Sequence, residues 1–278
     1  MQPIRFVGLV VLFCALLMGS APGLRLGRTA IHDPESHHLN GRYVVNMGRN
    51  FGRIFISPLH WKGKDFLWLG GTIAATGLSM AFLDHSTREW VEDHQNTKLM
   101  DASQFMTHLG EAPFLLGLSA ALYAGGEIFK ADGPRRTGLL AIESYCITGI
   151  IVTGVKYLFA RARPLSGEGP SSIHWFSFKN SQHAFPSGHA AAAFAVAAVF
   201  SGGSDNFLVG ATSYGIASIV ALSRVHNNEH WFSDVVAGSA IGYFIGKKVI
   251  SLNRPGKENK ASLSIGPAPG GLSLSLSF

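Results

Sequence analysis

Six apolar segments separated by polar stretches dominate the middle of the chain. They extend over residues 65–83, 113–129, 137–159, 188–200, 207–222 and 232–250. Several approach the length of a membrane-spanning helix, which satisfies its polar backbone by internal hydrogen bonds. Several are rich in Ala, Gly and Ser, which lets helices pack closely against one another. The pattern predicts an all-α, polytopic membrane protein whose core is a six-helix transmembrane bundle.

The N-terminal residues 1–21 begin with one basic residue, Arg5, continue with an apolar run over residues 6–18, and end in small residues. This order is typical of a secretory signal peptide. The same residues also fit an uncleaved membrane anchor, and both interpretations stay open.

Residues 22–64 form a basic segment in which apolar residues recur at helical spacing. The apolar positions are Val44, Met47, Phe51, Ile54 and Phe55, with Arg42, Arg49 and Arg53 among them. A helix with one apolar and one basic face suits the membrane interface. An amphipathic helix packed on the bundle is an equally supported alternative.

The C-terminal residues 251–278 form a polar tail that changes character in its second half. Leu272, Leu274 and Leu276 alternate with serine after a run rich in Gly and Pro. Alternation with a period of two on either side of turn residues predicts a β-hairpin. The chain is therefore divided into the leader 1–21, the juxtamembrane segment 22–64, the core 65–250 and the tail 251–278.

The composition agrees with a membrane protein and argues against two other classes. Hydrophobic residues make up 47% of the chain, and the mean hydropathy is +0.22. The formal net charge of +6 comes from basic residues beside the apolar segments, and not from a long Lys/Arg tract, so no nucleic-acid partner is predicted. Cys14 and Cys146 both fall inside apolar segments, so a disulfide framework is not expected. The oligomeric state stays open.

The charges of the loops predict the orientation of the bundle. Residues 130–136 and 247–260 are basic, as is the segment before residue 65, whereas residues 84–111 form a largely acidic loop. Under the positive-inside rule both ends of the bundle are cytoplasmic. We therefore favour a bacterial inner-membrane protein whose polar clusters face the periplasm. A cleaved signal peptide would instead carry residues 22–64 outward, and an association with the outer membrane also stays open.

Three polar clusters lie at the ends of the apolar segments between residues 156 and 234. The first and third contain the cations Lys156, Arg163 and Arg224. A phosphoryl group carries charge on three oxygens in its transition state, so its catalyst needs several fixed donors. Each cation taken alone also fits a helix-end side chain that reaches the membrane interface. Their joint occurrence favours an anion site.

The second cluster is Pro186-Ser187-Gly188-His189, at the start of an Ala-rich segment. Proline suits a first helical turn, and glycine permits close backbone approach. Free N–H groups at a helix start attract anions, so Ser187 and Gly188 are candidate phosphate ligands. His189 is a candidate proton donor for a leaving alkoxide. On its own, this pattern also fits an ordinary capped helix.

His230 and Asp234 in the third cluster are four residues apart, and they share a helix face if the last apolar helix begins there. A carboxylate held against one imidazole nitrogen fixes the tautomer and leaves the other nitrogen free to attack phosphorus. The remaining histidines show no coherent ligand spacing, so no metal is assigned.

Taken in order, the three clusters resemble the signature motifs of the type 2 phosphatidic acid phosphatase superfamily, which also contains vanadium haloperoxidases and bacterial acid phosphatases. The resemblance covers residues 65–250. It implies that His230 is a nucleophile that forms a phosphohistidine, that Asp234 orients it, and that His189 is the general acid. It implies neither a cofactor nor a metal. The phosphate ligands that it implies are Lys156, Arg163, Ser187, Gly188 and Arg224.

The expected function is that of a membrane-bound lipid phosphate phosphatase acting on a phosphomonoester or a diphosphate. Phosphatidate, phosphatidylglycerol phosphate, undecaprenyl diphosphate and lipid A phosphates are all candidate substrates. The expected partners are therefore a lipid phosphate and the membrane lipids. Two alternatives stay open, a vanadium-dependent haloperoxidase-like enzyme and a non-catalytic protein that binds lipid phosphates.

Overall fold

Nine α-helices make up most of the part of the chain that the structure describes. The structure is a computed structural model that describes residues 37–94, residues 96–254 and the backbone of two strands, so the predicted leader 1–21 lies outside the described residues. The helices are α1 (Gly41–Ile56), α2 (Gly63–Phe82), α3 (Asp84–His94), α4 (Thr97–His108), α5 (Ala112–Ile128), α6 (Asp132–Phe159), α7 (Gly188–Gly202), α8 (Phe207–His226) and α9 (Phe232–Leu252).

The six predicted apolar segments all lie in helices, namely α2 and α5 to α9, but these helices differ in length. By length and composition α6, α8 and α9 are long and apolar enough to cross a membrane. The bent pair of α2 and α3, with 53° between the two helices, makes a fourth candidate if it is one span. The shorter α5 and α7 have 17 and 15 residues. The described chain is thus mostly helical, with three or four candidate membrane spans.

The contact between α7 and α9 lies at the centre of the bundle. Most of the Ala-rich α7 is buried, and Gly238, Gly242 and Gly246 recur every four residues along α9. A Cβ atom on Gly242 would lie 2.0 Å from the Ala191 carbonyl oxygen, and one on Gly246 would lie 2.5 Å from that of Ala195. Small residues at this spacing let two helix backbones approach closely. The two helices therefore pack with almost no side chain between them.

Aliphatic side chains fill the remaining space between α5, α6, α7 and α9. Leu122, Ile147, Val199 and Val249 are all fully or almost fully buried in this cluster. Lipid tails are as apolar as these side chains, so close packing contributes more here than the removal of apolar surface from water. The cluster holds the four helices in one unit below the site.

Hydrogen bonds to one buried carboxylate, Glu143 of α6, attach α1 to the bundle. The Tyr43 hydroxyl and the Asn50 amide each donate to it at 2.8 Å, and the Asn253 amide donates at 3.4 Å. Glu143 is 0% exposed, so these donors replace the water that its carboxyl group loses on burial. One face of the amphipathic helix therefore packs on the bundle, while Val44 on another face is exposed.

The prediction of an acidic loop over residues 84–111 is wrong, because α3 and α4 occupy it. The buried residues of α4 are Ser103 and Thr107, both of which contact α8. Ser103 Oγ donates to the Ser223 carbonyl at 3.1 Å, and Thr107 Oγ1 lies 2.9 Å from Ser223 Oγ. A helix attached through small polar side chains shows little hydrophobic periodicity, which explains why the pattern did not reveal it.

Two strands at the C-terminus, β1 (Ser262–Ala268) and β2 (Gly271–Ser277), pair antiparallel. In their register Ile265 lies opposite Leu274. A lone two-stranded hairpin is only marginally stable in water.

We expect Gly242→Ala to lower the unfolding midpoint of the protein in detergent, because its methyl group would overlap the Ala191 carbonyl oxygen. Forcing a methyl group into such a contact costs about 1–3 kcal/mol. Thermal unfolding followed by circular dichroism gives the midpoint. Gly149→Ala in α6 is the matched control, since nothing lies within 4 Å of a Cβ atom there. Equal midpoints for the two variants would contradict the close contact of α7 with α9.

Candidate active site

Two helix N-termini and two helix C-termini meet at one end of the bundle and carry the three polar clusters. Lys156 and Arg224 lie in the last turns of α6 and α8, whereas Gly188 opens α7 and Asp234 lies in the first turn of α9. The Ser187 N–H donates to the Asp234 carbonyl at 2.9 Å. Lys156 Cε lies 3.6 Å from the position of a Cβ atom on Gly188. These contacts bring the clusters to one place.

Local backbone structure ends α6 just after Lys156. Ala160 has a φ of 43°, in the left-handed region, and its N–H donates to the Lys156 carbonyl at 2.8 Å. A non-glycine residue in this region is strained, and such residues cluster at functional sites. Further along, the Arg163 N–H donates to the Ser181 carbonyl at 2.9 Å. The loop after α6 is therefore held in a defined path at the site.

The imidazole of His230 is buried beside the carboxylate of Asp234. His230 is 3% exposed and Asp234 is 0% exposed, and His230 Nδ1 lies 3.7 Å from Asp234 Oδ2. This distance is longer than a hydrogen bond, so the two groups are neighbours that are not bonded to each other. Asp234 Oδ2 also accepts the Trp231 N–H at 2.9 Å. With the carboxylate on the Nδ1 side, Nε2 is the ring nitrogen available for chemistry.

Burial holds the pKa of His230 well below its ordinary value of 6.5. Desolvation is the larger cause, and the charges of Lys156, Arg224 and Arg163 act in the same direction. A buried site beside cations disfavours a charged imidazole. His230 is therefore neutral at physiological pH, which is the form that acts as a nucleophile.

The two arginines of the site share one carboxylate. Arg163 forms an ion pair with Glu229, and Arg224 Nη2 lies 3.7 Å from Glu229 Oε2. Arg224 Nη1 also lies 3.4 Å from Thr107 Oγ1 of α4. Sequence reasoning missed both partners. The signal for Glu229 is its position directly before His230, whereas Thr107 lies in a helix that the pattern did not reveal.

Several buried donors around the imidazole have no hydrogen-bond partner among the described residues. They include Ser187 Oγ, Arg163 Nε and Arg224 Nε. An unsatisfied buried donor costs about 1–3 kcal/mol, and one anion with several oxygens would satisfy all three. Lys156 donates to the His183 carbonyl at 2.6 Å, which leaves two of its N–H groups for a ligand. In the described part of the chain, no group of three or more His, Cys, Asp or Glu side chains fits a metal ion.

His189 lies in the first turn of α7, within the electrostatic reach of Arg224, Glu111 and Lys156. Its Cδ2 lies 3.4 Å from the position of a Cβ atom on Gly110, so the turn between α4 and α5 borders the ring. The structure thus gathers all the predicted site residues at one end of the bundle. They are His189, His230, Asp234, Lys156, Arg163, Ser187, Gly188 and Arg224.

Sequence reasoning also missed a buried charge network behind Asp234. Arg161 donates to Asp234 Oδ1 at 2.5 Å and to Asp84 Oδ2 at 2.7 Å. The Ser233 hydroxyl and N–H donate to the same Asp84 carboxylate. Arg161 had a weak signal, since it lies two residues before Arg163 next to an apolar segment. Asp84 had none, because it is 77 residues away from Arg161 in a region predicted as a loop.

Trp231 connects the segment that carries His230 to the loop after α6. Its side chain is 2% exposed, and its Nε1 donates to the Ala162 carbonyl at 2.8 Å. The guanidinium carbon of Arg161 lies 5.7 Å from the centre of its ring, which is within the range of a cation–π interaction. The loop after α6 and the start of α9 are therefore tied together directly beside the imidazole.

Comparison with known proteins gives a family match over the region that carries the site. The family model described as PAP2 superfamily matches residues 137–255. This range contains every predicted site residue, whereas Asp84 and α1 lie outside it.

Two relatives and one solved structure show how far the likeness extends. Lipid A 1-phosphatase of Porphyromonas gingivalis is 30% identical over 162 residues, which cover 56% of this chain and 34% of that protein. Lipid A 1-phosphatase of Rhizobium etli is 27% identical over 198 residues, which cover 66% of this chain and 82% of that protein. The chain thus spans only a third of the first relative. A similar solved structure is the crystal structure of a transmembrane PAP2 type phosphatidylglycerolphosphate phosphatase from Bacillus subtilis, which is 19% identical in sequence. The aligned region covers 72% of this chain and 100% of that protein's chain. The TM-score of 0.54 shows a shared fold.

The titration of His230 should make the protein less stable as the pH falls. In the folded protein its pKa lies well below the ordinary 6.5, so at low pH the unfolded chain binds a proton that the folded chain does not. The stability that depends on a neutral His230 is fully present above pH 6.5 and is lost as the pH falls below that value. Unfolding midpoints measured against pH should therefore fall more steeply for the wild type than for His230→Gln. Parallel curves for the two proteins would contradict the buried neutral imidazole.

Inorganic phosphate should raise the unfolding midpoint, because a ligand that binds a folded site and not the unfolded chain stabilises the folded protein. Arg224→Gln should weaken the apparent affinity for phosphate by about 10- to 100-fold, since a charged hydrogen bond contributes about 1.5–3 kcal/mol. Arg49→Gln is the control, because Arg49 is exposed on α1. A midpoint that does not respond to phosphate, or an equal weakening in both variants, would count against an anion site.

Proposed function

We propose, from the premise that residues 137–255 of the chain belong to the PAP2 superfamily, that the protein is a membrane-bound lipid phosphatase. It is a phosphoric ester hydrolase that releases phosphate from a lipid phosphomonoester or diphosphate. The observation that carries the proposal is the buried, neutral imidazole of His230, with a carboxylate on one side and three cations around it. The two relatives named lipid A 1-phosphatase support this reaction class.

The phosphate group binds among donors from three parts of the chain. Lys156, Arg163 and Arg224 neutralise its charge, and Ser187 Oγ and the Gly188 N–H donate to its oxygens. The N-termini of α7 and α9 both lie at the site, and each adds the positive end of a helix dipole. Donors fixed before the substrate arrives stabilise the charge of the transition state without further rearrangement.

In the first step His230 Nε2 attacks phosphorus, so a P–N bond forms while the P–O bond to the lipid breaks. The Asp234 carboxylate stabilises the positive charge that develops on the ring. Protonated His189 gives its proton to the departing oxygen, and the lipid leaves as a neutral alcohol or, from a diphosphate, as a lipid monophosphate. A phosphohistidine remains.

In the second step a water molecule attacks the phosphohistidine. His189, now neutral, takes a proton from this water as its oxygen bonds to phosphorus. The P–N bond breaks, the ring of His230 becomes neutral again, and inorganic phosphate leaves. The same histidine thus acts first as an acid and then as a base, and no cofactor takes part in the proposed cycle.

A lipid substrate is favoured by the aromatic side chains beside the site. Trp175, Phe176 and Phe178, in the loop between α6 and α7, are 56%, 69% and 82% exposed. Trp side chains are enriched at the membrane–water interface, where lipid head groups also lie, and Trp175 is one of these three. The site at the helix ends is thus within reach of a lipid phosphate. Membrane lipids are the expected surroundings, and the four lipid phosphates named above form the first panel to test.

The proposal includes a place for the protein in the cell. The core over residues 65–250 forms a six-helix unit in a bacterial inner membrane, with the site facing the periplasm. Support comes from the basic residues 130–136 and 247–260, which mark the cytoplasmic side under the positive-inside rule.

His230→Ala should abolish the release of phosphate from the lipid panel by the purified protein. Loss of a nucleophile lowers kcat by about 1000-fold or more. His60→Ala is the matched control, because His60 is exposed in the turn after α1. A colorimetric assay of released phosphate measures both variants against the wild type.

Equal activity of the wild type and His230→Ala would rule out the proposed mechanism. Peroxide-dependent oxidation of halide that vanadate stimulates would point to a haloperoxidase instead. Phosphate-dependent lipid binding without turnover, unchanged when His189, His230 and Asp234 are replaced, would point to a binding protein.

A further inference from the structure

A buried carboxylate outside the family match lies directly behind the candidate site. Asp84, the first residue of α3, is 1% exposed. Its Oδ1 accepts the Ser233 N–H at 2.8 Å, and its Oδ2 accepts the Ser233 hydroxyl at 2.6 Å and Arg161 Nη2 at 2.7 Å. Both oxygens are therefore engaged, and the carboxylate is locked at the start of α9.

Arg161 connects Asp84 with the carboxylate beside His230. Its Nη1 donates to Asp234 Oδ1 at 2.5 Å and to the Ser233 hydroxyl at 2.7 Å. The side chain of Arg161 is 3% exposed and both carboxylates are 0% exposed, so water hardly screens these charges. Asp84, Arg161, Asp234 and His230 thus form one continuous chain of contacts.

The alternating charges along this chain decide the charge that Asp234 presents to the imidazole. If Arg161 had Asp234 as its only partner, the pair would be neutral, and His230 would face almost no net charge. Asp84 adds a second negative charge to the same guanidinium, so the three groups together carry one net negative charge. That charge favours the positive ring that forms when the imidazole attacks phosphorus.

Stability alone does not account for burying these charges. Removing an ion from water costs several kcal/mol, and well-packed apolar residues often stabilise a protein as well as a buried ion pair does. The directions of the bonds are more informative. Every bond from Arg161 and Ser233 to a carboxylate fixes either Asp84 or the Asp234 oxygen that points away from His230.

We propose that Asp84 is a positioning residue for the phosphatase reaction. Through Arg161 it holds one oxygen of Asp234 and keeps the other oxygen, with its negative charge, directed at His230. Asp84 contacts neither the substrate nor the reacting nitrogen, so it acts only through these neighbours. This inference rests on the proposed function.

Other charged and titratable groups face His230 from the elements packed around it. They are Lys156 from α6, Arg163 from the following loop, His189 from α7 and Arg224 from α8. The three cations all oppose a positive imidazole. A change of one charge on the carboxylate side of the ring therefore shifts the protonation of His230 in a direction that can be stated in advance.

The test is a series of charge changes in the full-length protein, assayed by phosphate release in detergent. Asp84→Asn makes the three-group network neutral, Arg161→Gln leaves two negative charges, and the double variant restores one. The acid side of the kcat/KM profile should move to lower pH in Asp84→Asn and to higher pH in Arg161→Gln, by about half to one unit. It should return towards the wild-type position in the double variant.

We also expect kcat of Asp84→Asn to fall about 10- to 100-fold with little change in KM.

Glu143→Gln is the matched control, because Glu143 is another fully buried carboxylate that accepts bonds from Tyr43 and Asn50. It lies 13 residues before Lys156 on α6, which is about 20 Å along a helix. This variant should lower the unfolding midpoint and leave the pH profile in place.

The inference would be overturned if the acid side of the profile did not move to lower pH as the network loses negative charge and to higher pH as it gains negative charge. A shift of equal size in Glu143→Gln would also overturn it. If Asp84→Asn does not fold, the expected shift of Arg161→Gln to higher pH, measured against the wild type, still tests the inference. If the wild type releases phosphate but the pH profiles of the variants do not shift in the expected directions, the role of Asp84 is overturned and the proposed function stands. A wild-type protein that releases no phosphate from any lipid on the panel would overturn both this inference and the proposed function.

Discussion

The backbone contact between the start of α7 and the start of α9 determines where the rest of the site lies. The Ser187 N–H donates to the Asp234 carbonyl at 2.9 Å, and a Cβ atom on Gly238 would lie 2.4 Å from the Ser187 carbonyl oxygen. Only glycine at position 238 permits this approach. As a result two helix N-termini lie side by side, and the positive ends of both dipoles favour the same anion. This packing contact places the candidate phosphate ligands Ser187 and Gly188 beside the helix start that carries Asp234.

The second constraint is the balance of charge around a buried imidazole. Lys156, Arg163 and Arg224 repel one another, and Glu229 relieves this repulsion between the two arginines. Burial first, and these cations in the same direction, hold the pKa of His230 well below its ordinary value, so the ring is neutral. A bound phosphate would satisfy the donors that the described residues leave without partners. The proposed binding of phosphate and the proposed reactivity of His230 would therefore depend on the same set of charges.

Polar contacts attach three of the helices that lie outside the family match, namely α1, α3 and α4. Asp84 of α3 bonds to Ser233, Thr107 of α4 bonds to Ser223, and Tyr43 of α1 bonds to a buried glutamate. Apolar packing gives little preference for one partner among lipid tails and helices, whereas a buried hydrogen bond requires a particular partner. The attachments of α3 and α4 lie next to the site, so these helices support it although the family motifs do not include them.

The sequence by itself determined the apolar segments that became helices and the residues that meet at the candidate site. Both can be recognised from local spacing, because a helix end or a motif occupies a short stretch of the sequence. Only the tertiary structure revealed α3 and α4, the sharing of Glu229 by two arginines, and the network of Arg161 with Asp84. They depend on single polar contacts such as those of Arg161 with Asp84, Arg163 with Glu229 and Arg224 with Thr107. These contacts join residues 77, 66 and 117 positions apart and leave no periodic signal in the chain. A polar side chain at the end of a helix can face water, lipid or another charge, and the packing of the helices decides which of these it meets.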